Sequence, residues 1–218
     1  MTTAALIVAA GRGLRAGGGQ PKQWRQLSGK RVADWTLGIF MQSKVDHIVL
    51  VLSPDDEDIW QSFASIPGII LVPGGQDRAG SVLNGLQALR GYDVSKVLIH
   101  DVARPCVSLQ LIECIVTALD HNNAAAPAVA VTDALWTGAD GQVTGTQDRT
   151  GLFAAQTPQG FHYNAILTAH LAHPGGAADD VEVARAAGLD VAIIPGDPDN
   201  IKITTPGDFA RAERILGT

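Results

Sequence analysis

The stretch Ala9–Lys22 reads AAGRGLRAGGGQPK and holds five glycines (Gly11, Gly13, Gly17, Gly18 and Gly19) beside Arg12, Arg15 and Lys22. An apolar run, Ala4–Ala9, leads into it. Six basic residues precede the first acid, Asp34, although the whole chain carries a net charge of −6. Glycine lets backbone N–H groups turn toward an anion, and the cations neutralise it, so this is a loop built to hold phosphates. Gly11–Ala16 formally matches the dinucleotide fingerprint G-x-G-x-x-G/A. More glycines and Gln20-Pro21-Lys22 postpone the helix, however, and the second strand ends near Leu52, too far on for that motif. No Walker-type phosphate loop occurs. The plain alternative is a flexible loop without a ligand.

Three further segments carry chemistry. In His100-Asp101-Val102-Ala103-Arg104-Pro105 an acid follows an apolar run. Magnesium takes one or two carboxylates together with phosphate oxygens, which suits Asp101, while a structural pairing of Asp101 with Arg104 is the alternative. His100 reads as a packing histidine. Lys202, in Asn200–Thr204, either snorkels at the surface or points its charge into a crevice. Pro73–Ser81 (PGGQDRAGS) is a turn with a helix cap, or else its glycines and Ser81 present polar groups to a flat base. His162, His170 and His173 lack flanking acids or cysteines and read as surface residues.

These residues need a frame. Short apolar runs at Ala4–Ala9, His47–Leu52, Ile69–Val72, Lys96–His100, Ala124–Val131 and Val191–Pro195 predict strands. Helical patterns fall at Val32–Met41, Asp55–Ala64, Arg78–Leu89, Leu109–Leu119, Ala165–Ala172, Val181–Ala187 and Gly207–Leu216. Ser53-Pro54-Asp55-Asp56 and Thr205-Pro206-Gly207-Asp208 supply cap signals. The alternation predicts an α/β, Rossmann-like, mostly parallel sheet with helices on both faces. Ligands in such sheets sit beyond the carboxyl ends of the strands, where these loops fall. Asp133–Arg149 breaks the pattern and reads as a protruding β-hairpin arm turning at Ala139-Asp140-Gly141. Leu135 and Trp136 on it call for a partner surface, which suggests a homodimer through residues 133–150.

Composition narrows the class. Hydrophobic residues make up 46% and aromatics 5%, so aliphatic side chains build the core of one domain spanning 1–218. The acidic balance argues against nucleic acid or an anionic membrane as partner. Cys106 and Cys114 imply no disulfide framework and read as reduced core or near-core thiols. With no basic leader and no apolar run of membrane-spanning length, a cytoplasmic protein is expected.

Taken together, AALIVAAGRGLRAGGGQPKQW, GGQDRAGSV, LIHDVARPCV, DRTGLFAAQTPQGF and DNIKITTPGDFARAE resemble the 2-C-methyl-D-erythritol 4-phosphate cytidylyltransferase family, in its order and over the whole chain. The resemblance implies cytidylyl transfer from CTP to methylerythritol phosphate, with release of pyrophosphate, in non-mevalonate isoprenoid synthesis. It implies nucleotide contacts from Ala9, Ala10, Gly11, Gly13, Gly75, Gln76, Ser81 and Val102. Arg15 and Lys22 would stabilise the transition state on the triphosphate, and Asp101 would hold Mg²⁺. Asp101, Arg104 and Asp133 would serve the second substrate. Lys202, with Arg149 from the partner's arm, would hold its phosphate. Three positions depart from the family pattern: Gln76, Ala134 and Ala178. The last two fall on the side of the second substrate. A ribitol 5-phosphate cytidylyltransferase and a non-catalytic nucleotide-binding regulator therefore stand as alternatives.

Overall fold

A computed structural model describes residues 1–12 and 19–217. Gly13 and Arg15 lie outside the described residues.

Among the described residues eight strands form one sheet. Its centre is β1 (Thr3–Val8), flanked by β4 (His47–Leu52) on one side and β6 (Lys96–Asp101) on the other. All three run parallel, with Val8 in register with both Val51 and Asp101. Beyond β4 lies β5 (Ile69–Pro73), also parallel. Beyond β6 come β11 (Gln159–His162), antiparallel, and then β7 (Ala124–Ala130). β10 (Phe153–Ala155) extends the antiparallel edge along β7, and β12 (Val191–Pro195) closes the far side of β7 in parallel. β2 (Gln26–Leu27) and β3 (Lys30–Arg31) make a small separate ribbon.

The six apolar runs read from the sequence are all strands here. β1 and β4 are almost wholly buried, as expected of parallel strands covered on both faces. Their alternation sorts the core. Leu6, Val49, Val51 and Ile99 face α3 (Arg78–Ala88), α5 (Tyr163–Ala172) and α6 (Asp180–Ala186). Ala5, Ile7, Leu50 and Leu98 face α1 (Val32–Gln42), α2 (Glu57–Ala64) and α4 (Leu109–Ala118). A third, smaller cluster packs α7 (Pro206–Leu216) through Ala212 onto Leu27, Val32 and Ile203.

The arm is a hairpin of β8 (Leu135–Ala139) and β9 (Gln142–Gln147) outside the main sheet. Asp140 and Gly141 turn it with φ of 52° and 77°, the left-handed pair that a two-residue hairpin loop requires. Trp136 is 67% exposed and Val143 58% exposed on it.

Several expectations need correction. α2 begins at Glu57 rather than Asp55, and Ser53 is no N-cap; its hydroxyl accepts from the Asp55 N–H in a turn before the helix. β10 and β11 have no apolar periodicity of their own, because their partners β6 and β7, distant in sequence, supply the pairing. Cys106 is buried but Cys114 is exposed on α4. His170 is buried, 4% exposed, not on the surface.

The second predicted cap forms as read. At the start of α7 one oxygen of Asp208 accepts from the N–H of Thr204 (2.8 Å) and Thr205 (2.7 Å) and from both hydroxyls. These bonds tie Thr204 and Thr205 to the first turn of α7. Burial acts to raise the Asp208 carboxyl, but those four donors outweigh it and hold it at about 2. A depressed folded value adds stability above the ordinary aspartate range and loses it as pH falls through the folded value. Asp208→Ala is therefore expected to lower the unfolding free energy by about 1–2 kcal/mol at pH 7. In urea denaturation, the gap between wild type and variant should narrow steadily from about pH 4 toward pH 2.

Candidate functional site

A cavity of about 380 Å³ opens at the carboxyl ends of β1 and β6. Ala9, Ala10 and Gly11 wall it on one side, Gly75, Gln76 and Ser81 on another, and Val102 closes the floor. The backbone continues the sheet into this wall, with Ala9 N–H donating to Val51 and Val102 N–H to Val8. Gly75 leaves no room for a side chain, since a Cβ there would sit 2.6 Å from the Gly80 carbonyl carbon. Its N–H donates to the Ser81 hydroxyl (3.1 Å), which donates to the Asp77 carbonyl (2.8 Å). Asp77 caps α3 through the Gly80 N–H, so the PGGQDRAGS segment is both a helix cap and a cavity wall.

Among the described residues six charged side chains line the cavity, and Arg12, Lys22, Arg78 and Lys202 outnumber Asp77 and Asp101. In an acidic chain that is a local bias toward anions. Lys22 opens a 3₁₀ turn, Lys22–Trp24, and its ammonium donates to the Ile203 carbonyl at 2.5 Å. Lys202 points inward, not outward: its Nζ lies 2.7 Å from Asp101 Oδ2. Arg12 reaches Asp55 in the loop after β4. Arg12, one of the six basic residues before Asp34, is thus balanced by an acid distant in sequence.

Asp101 does not pair with Arg104. Its other oxygen meets Arg78 Nε at 3.3 Å. Arg78 also bonds Asp180 at 2.7 Å, and Asp180, fully buried, takes His170 at 3.2 Å on its second oxygen. Burial pushes the Asp101 carboxyl up, but Arg78 and Lys202 outweigh it and hold it well below the usual carboxylate range. Burial acts to lower the Arg78 guanidinium, and Asp180 and Asp101 reverse that. Sequence reasoning missed Arg78 and Asp180, because nothing local links residues a hundred positions apart.

Arg104 is buried below the Asp101 loop and is not part of the cavity lining. It donates to the carbonyls of Asn200 (2.8 Å) and Ala155 (3.2 Å), tying the Asp101 loop to both segments. Asp101 N–H donates to the Thr157 hydroxyl at 3.1 Å. The Thr157 hydroxyl and His100 Nδ1 are 3.0 Å apart, and His100 Nε2 lies 3.2 Å from the Arg104 carbonyl. Since a carbonyl only accepts, His100 carries its proton on Nε2 and takes the threonine proton on Nδ1. Burial depresses its pKa to about 3, so the ring is neutral and structural, as the sequence suggested. Asp133 and Arg149 lie on the arm, away from the cavity lining, and the Arg149 guanidinium bonds the Thr132 carbonyl of its own chain.

Fold and site together define a doubly wound α/β protein with a cation-rich pocket at the carboxyl ends of its central parallel strands. The 2-C-methyl-D-erythritol 4-phosphate cytidylyltransferase (IspD) family model matches residues 3–218, and the chain belongs to that family. It is 59% identical over 219 residues to the 2-C-methyl-D-erythritol 4-phosphate cytidylyltransferase of Roseobacter denitrificans, covering 99% of this chain and 97% of that one. It is 70% identical over 216 residues to the bifunctional enzyme IspD/IspF of Ruegeria pomeroyi, covering 99% of this chain but 57% of that longer protein. The chain thus spans a little over half the length of its bifunctional relatives. A crystal structure of 4-diphosphocytidyl-2C-methyl-D-erythritol synthase superposes with a TM-score of 0.87 at 32% identity, covering 99% of this chain and 98% of that one. The 2-C-methyl-D-erythritol 4-phosphate cytidylyltransferase of Thermus thermophilus superposes with a TM-score of 0.83 at 30% identity over 100% of both chains. Among the described residues, no helix is long and apolar enough to cross a membrane.

Removing Arg78 strands a buried carboxylate. Arg78→Ala is expected to lower the unfolding free energy by about 3 kcal/mol or more, because Asp180 then keeps only His170 as a side-chain partner among the described residues. Combining it with Asp180→Ala should recover part of that loss in a double-mutant cycle read by chemical denaturation. Strict additivity would show that the two side chains do not interact.

Proposed function

We propose that the chain transfers a cytidylyl group from CTP to 2-C-methyl-D-erythritol 4-phosphate, releasing pyrophosphate, within isoprenoid precursor synthesis. The observation that carries this is the convergence of Lys22, Asp101 and Lys202 on one cavity in a chain matched end to end by that family. A phosphate oxygen of the acceptor attacks the α-phosphorus of CTP in line, and the bond from that phosphorus to the pyrophosphate oxygen breaks. The attacking group is already an anion, so no strong base is needed. What the reaction requires is alignment of two anions and stabilisation of spreading negative charge.

Lys22 and Arg15 serve the triphosphate, and Lys202 serves the acceptor phosphate. Ala9, Ala10, Gly11, Gly13 and Val102 contact the nucleotide, and Gly75, Gln76 and Ser81 frame its base. Asp101 suits a divalent cation such as Mg²⁺: it is a hard oxygen donor held ionised at the cavity wall. Such an ion, completed by phosphate oxygens, would neutralise charge on the triphosphate. Lys202 would then exchange its bond to Asp101 for one to the acceptor.

The exposed Trp136 and Val143 support a homodimer through the 133–150 arm, with Asp133 and Arg149 reaching the partner's acceptor site. CTP and a phosphorylated polyol are membrane-impermeant metabolites, which supports a cytoplasmic reaction. Ala134 and Ala178 motivate a second reading in which ribitol 5-phosphate is the acceptor.

Pyrophosphate release, measured across a matrix of nucleoside triphosphates and polyol phosphates, tests the assignment. Release should require CTP, Mg²⁺ and methylerythritol phosphate together; equal turnover with ribitol 5-phosphate would move the assignment to the second reading. Tight CTP binding with no pyrophosphate formed on any acceptor would indicate a non-catalytic regulator. Lys22→Ala should cut turnover by roughly a hundredfold or more while the circular dichroism spectrum stays native. Arg149→Ala should act across the dimer. Mixing it with Lys22→Ala protomers should restore part of the activity, and no recovery despite demonstrated subunit exchange would sink the cross-subunit role.

A further inference from the structure

Gln23 follows Lys22 in the 3₁₀ turn and is 2% exposed, yet its amide reaches the edge of the cavity. Its Nε2 donates to two main-chain carbonyls, Ala9 at 2.8 Å and Gly11 at 2.6 Å. A primary amide nitrogen carries two protons, and here both are used. The two carbonyls bracket Ala10, at the point where β1 gives way to the glycine-rich loop.

In a trans planar peptide the carbonyl and the next N–H point in opposite directions. Holding the Ala9 oxygen therefore aims the Ala10 N–H away from Gln23, and holding the Gly11 oxygen does the same for the Arg12 N–H. The preceding amide, Ala9 N–H, is used by the Val51 carbonyl. Neither the Ala10 nor the Arg12 N–H donates to an acceptor among the described residues. Left to itself, the chain here could as easily present carbonyl oxygens, which repel an anion.

We infer that Gln23 is a positioning residue: it holds the Ala9 and Gly11 carbonyls back so that the Ala10 and Arg12 amides face the nucleotide's phosphates. The inference rests on the nucleotide-binding reading above. It also couples the amides to Lys22, since Gln23 is the next residue in the same turn. The loop's anion preference is then set by one buried side chain as well as by its glycines.

The test uses the full chain with Gln23→Met, which keeps the length and loses the donors, and Gln23→Asn, which keeps an amide too short to reach both carbonyls. Folded variants should show a KM for CTP raised by roughly tenfold, with the KM for the acceptor changed less than about twofold. Calorimetric binding of CTP and of inorganic tripolyphosphate should weaken by the same factor. A merely structural role would lower the melting temperature and the active fraction while leaving both KM values and both affinities in place. That outcome, in whichever variant folds, overturns the inference. Wild-type protein that binds CTP but forms no pyrophosphate would instead refute the functional reading, and the calorimetric comparison would still decide on Gln23.

Discussion

Asp101 sits at the end of a buried strand with a cation on each carboxylate oxygen, Arg78 on one and Lys202 on the other. A carboxylate left unpaired there would take up a proton or destabilise the fold, since burial penalises the charged form. The two cations keep it ionised and in doing so fasten together segments far apart in the chain. Arg78 is itself anchored below by Asp180, a fully buried acid that His170 also holds. Asp101, Arg78 and Lys202, which line the cavity, thus belong to a charge network whose far end lies in the interior.

That network works because the backbone beneath it is wired from the other side. The antiparallel insertion of β10 and β11 breaks the parallel order of the sheet, and the turn between those strands carries Gln156 and Thr157. Thr157 takes the Asp101 N–H, and its carbonyl accepts from the buried Asn200 side chain. Arg104 then ties the same loop to Asn200 and Ala155. Lys202, two residues beyond Asn200, is delivered to the crevice by this wiring and by the Asp208 cap that follows it. The irregular part of the sheet therefore positions Lys202, and the regular part positions the start of the loop after β1.

Much of this was legible beforehand, for local reasons. Parallel strands covered on both faces leave near-continuous aliphatic runs, and β1, β4 and β6 stand out accordingly. Asp140-Gly141 has the conformational freedom that a tight hairpin turn demands, so the arm announces itself. The Thr205–Asp208 box states its own hydrogen bonds. Where a reading depended on distant partners it went astray. Ser53 resembles a cap, but the helix starts later; His170 resembles a surface histidine, but Asp180 draws it inside; Arg104 resembles an ion-pair partner of Asp101, but two backbone carbonyls occupy it.

Residue type and local spacing by themselves determined the α/β class, the six main strands and the hairpin arm, because each of these follows from periodicity or turn chemistry within a few residues. Tertiary structure alone decided which cation meets which oxygen: Lys202 and Arg78 on the Asp101 carboxylate, Arg12 on that of Asp55, Lys22 on the Ile203 carbonyl. Coulombic and hydrogen-bond partners are chosen by distance in space, and a chain that folds 101, 78 and 202 into one crevice leaves no trace of that choice in the order of its residues.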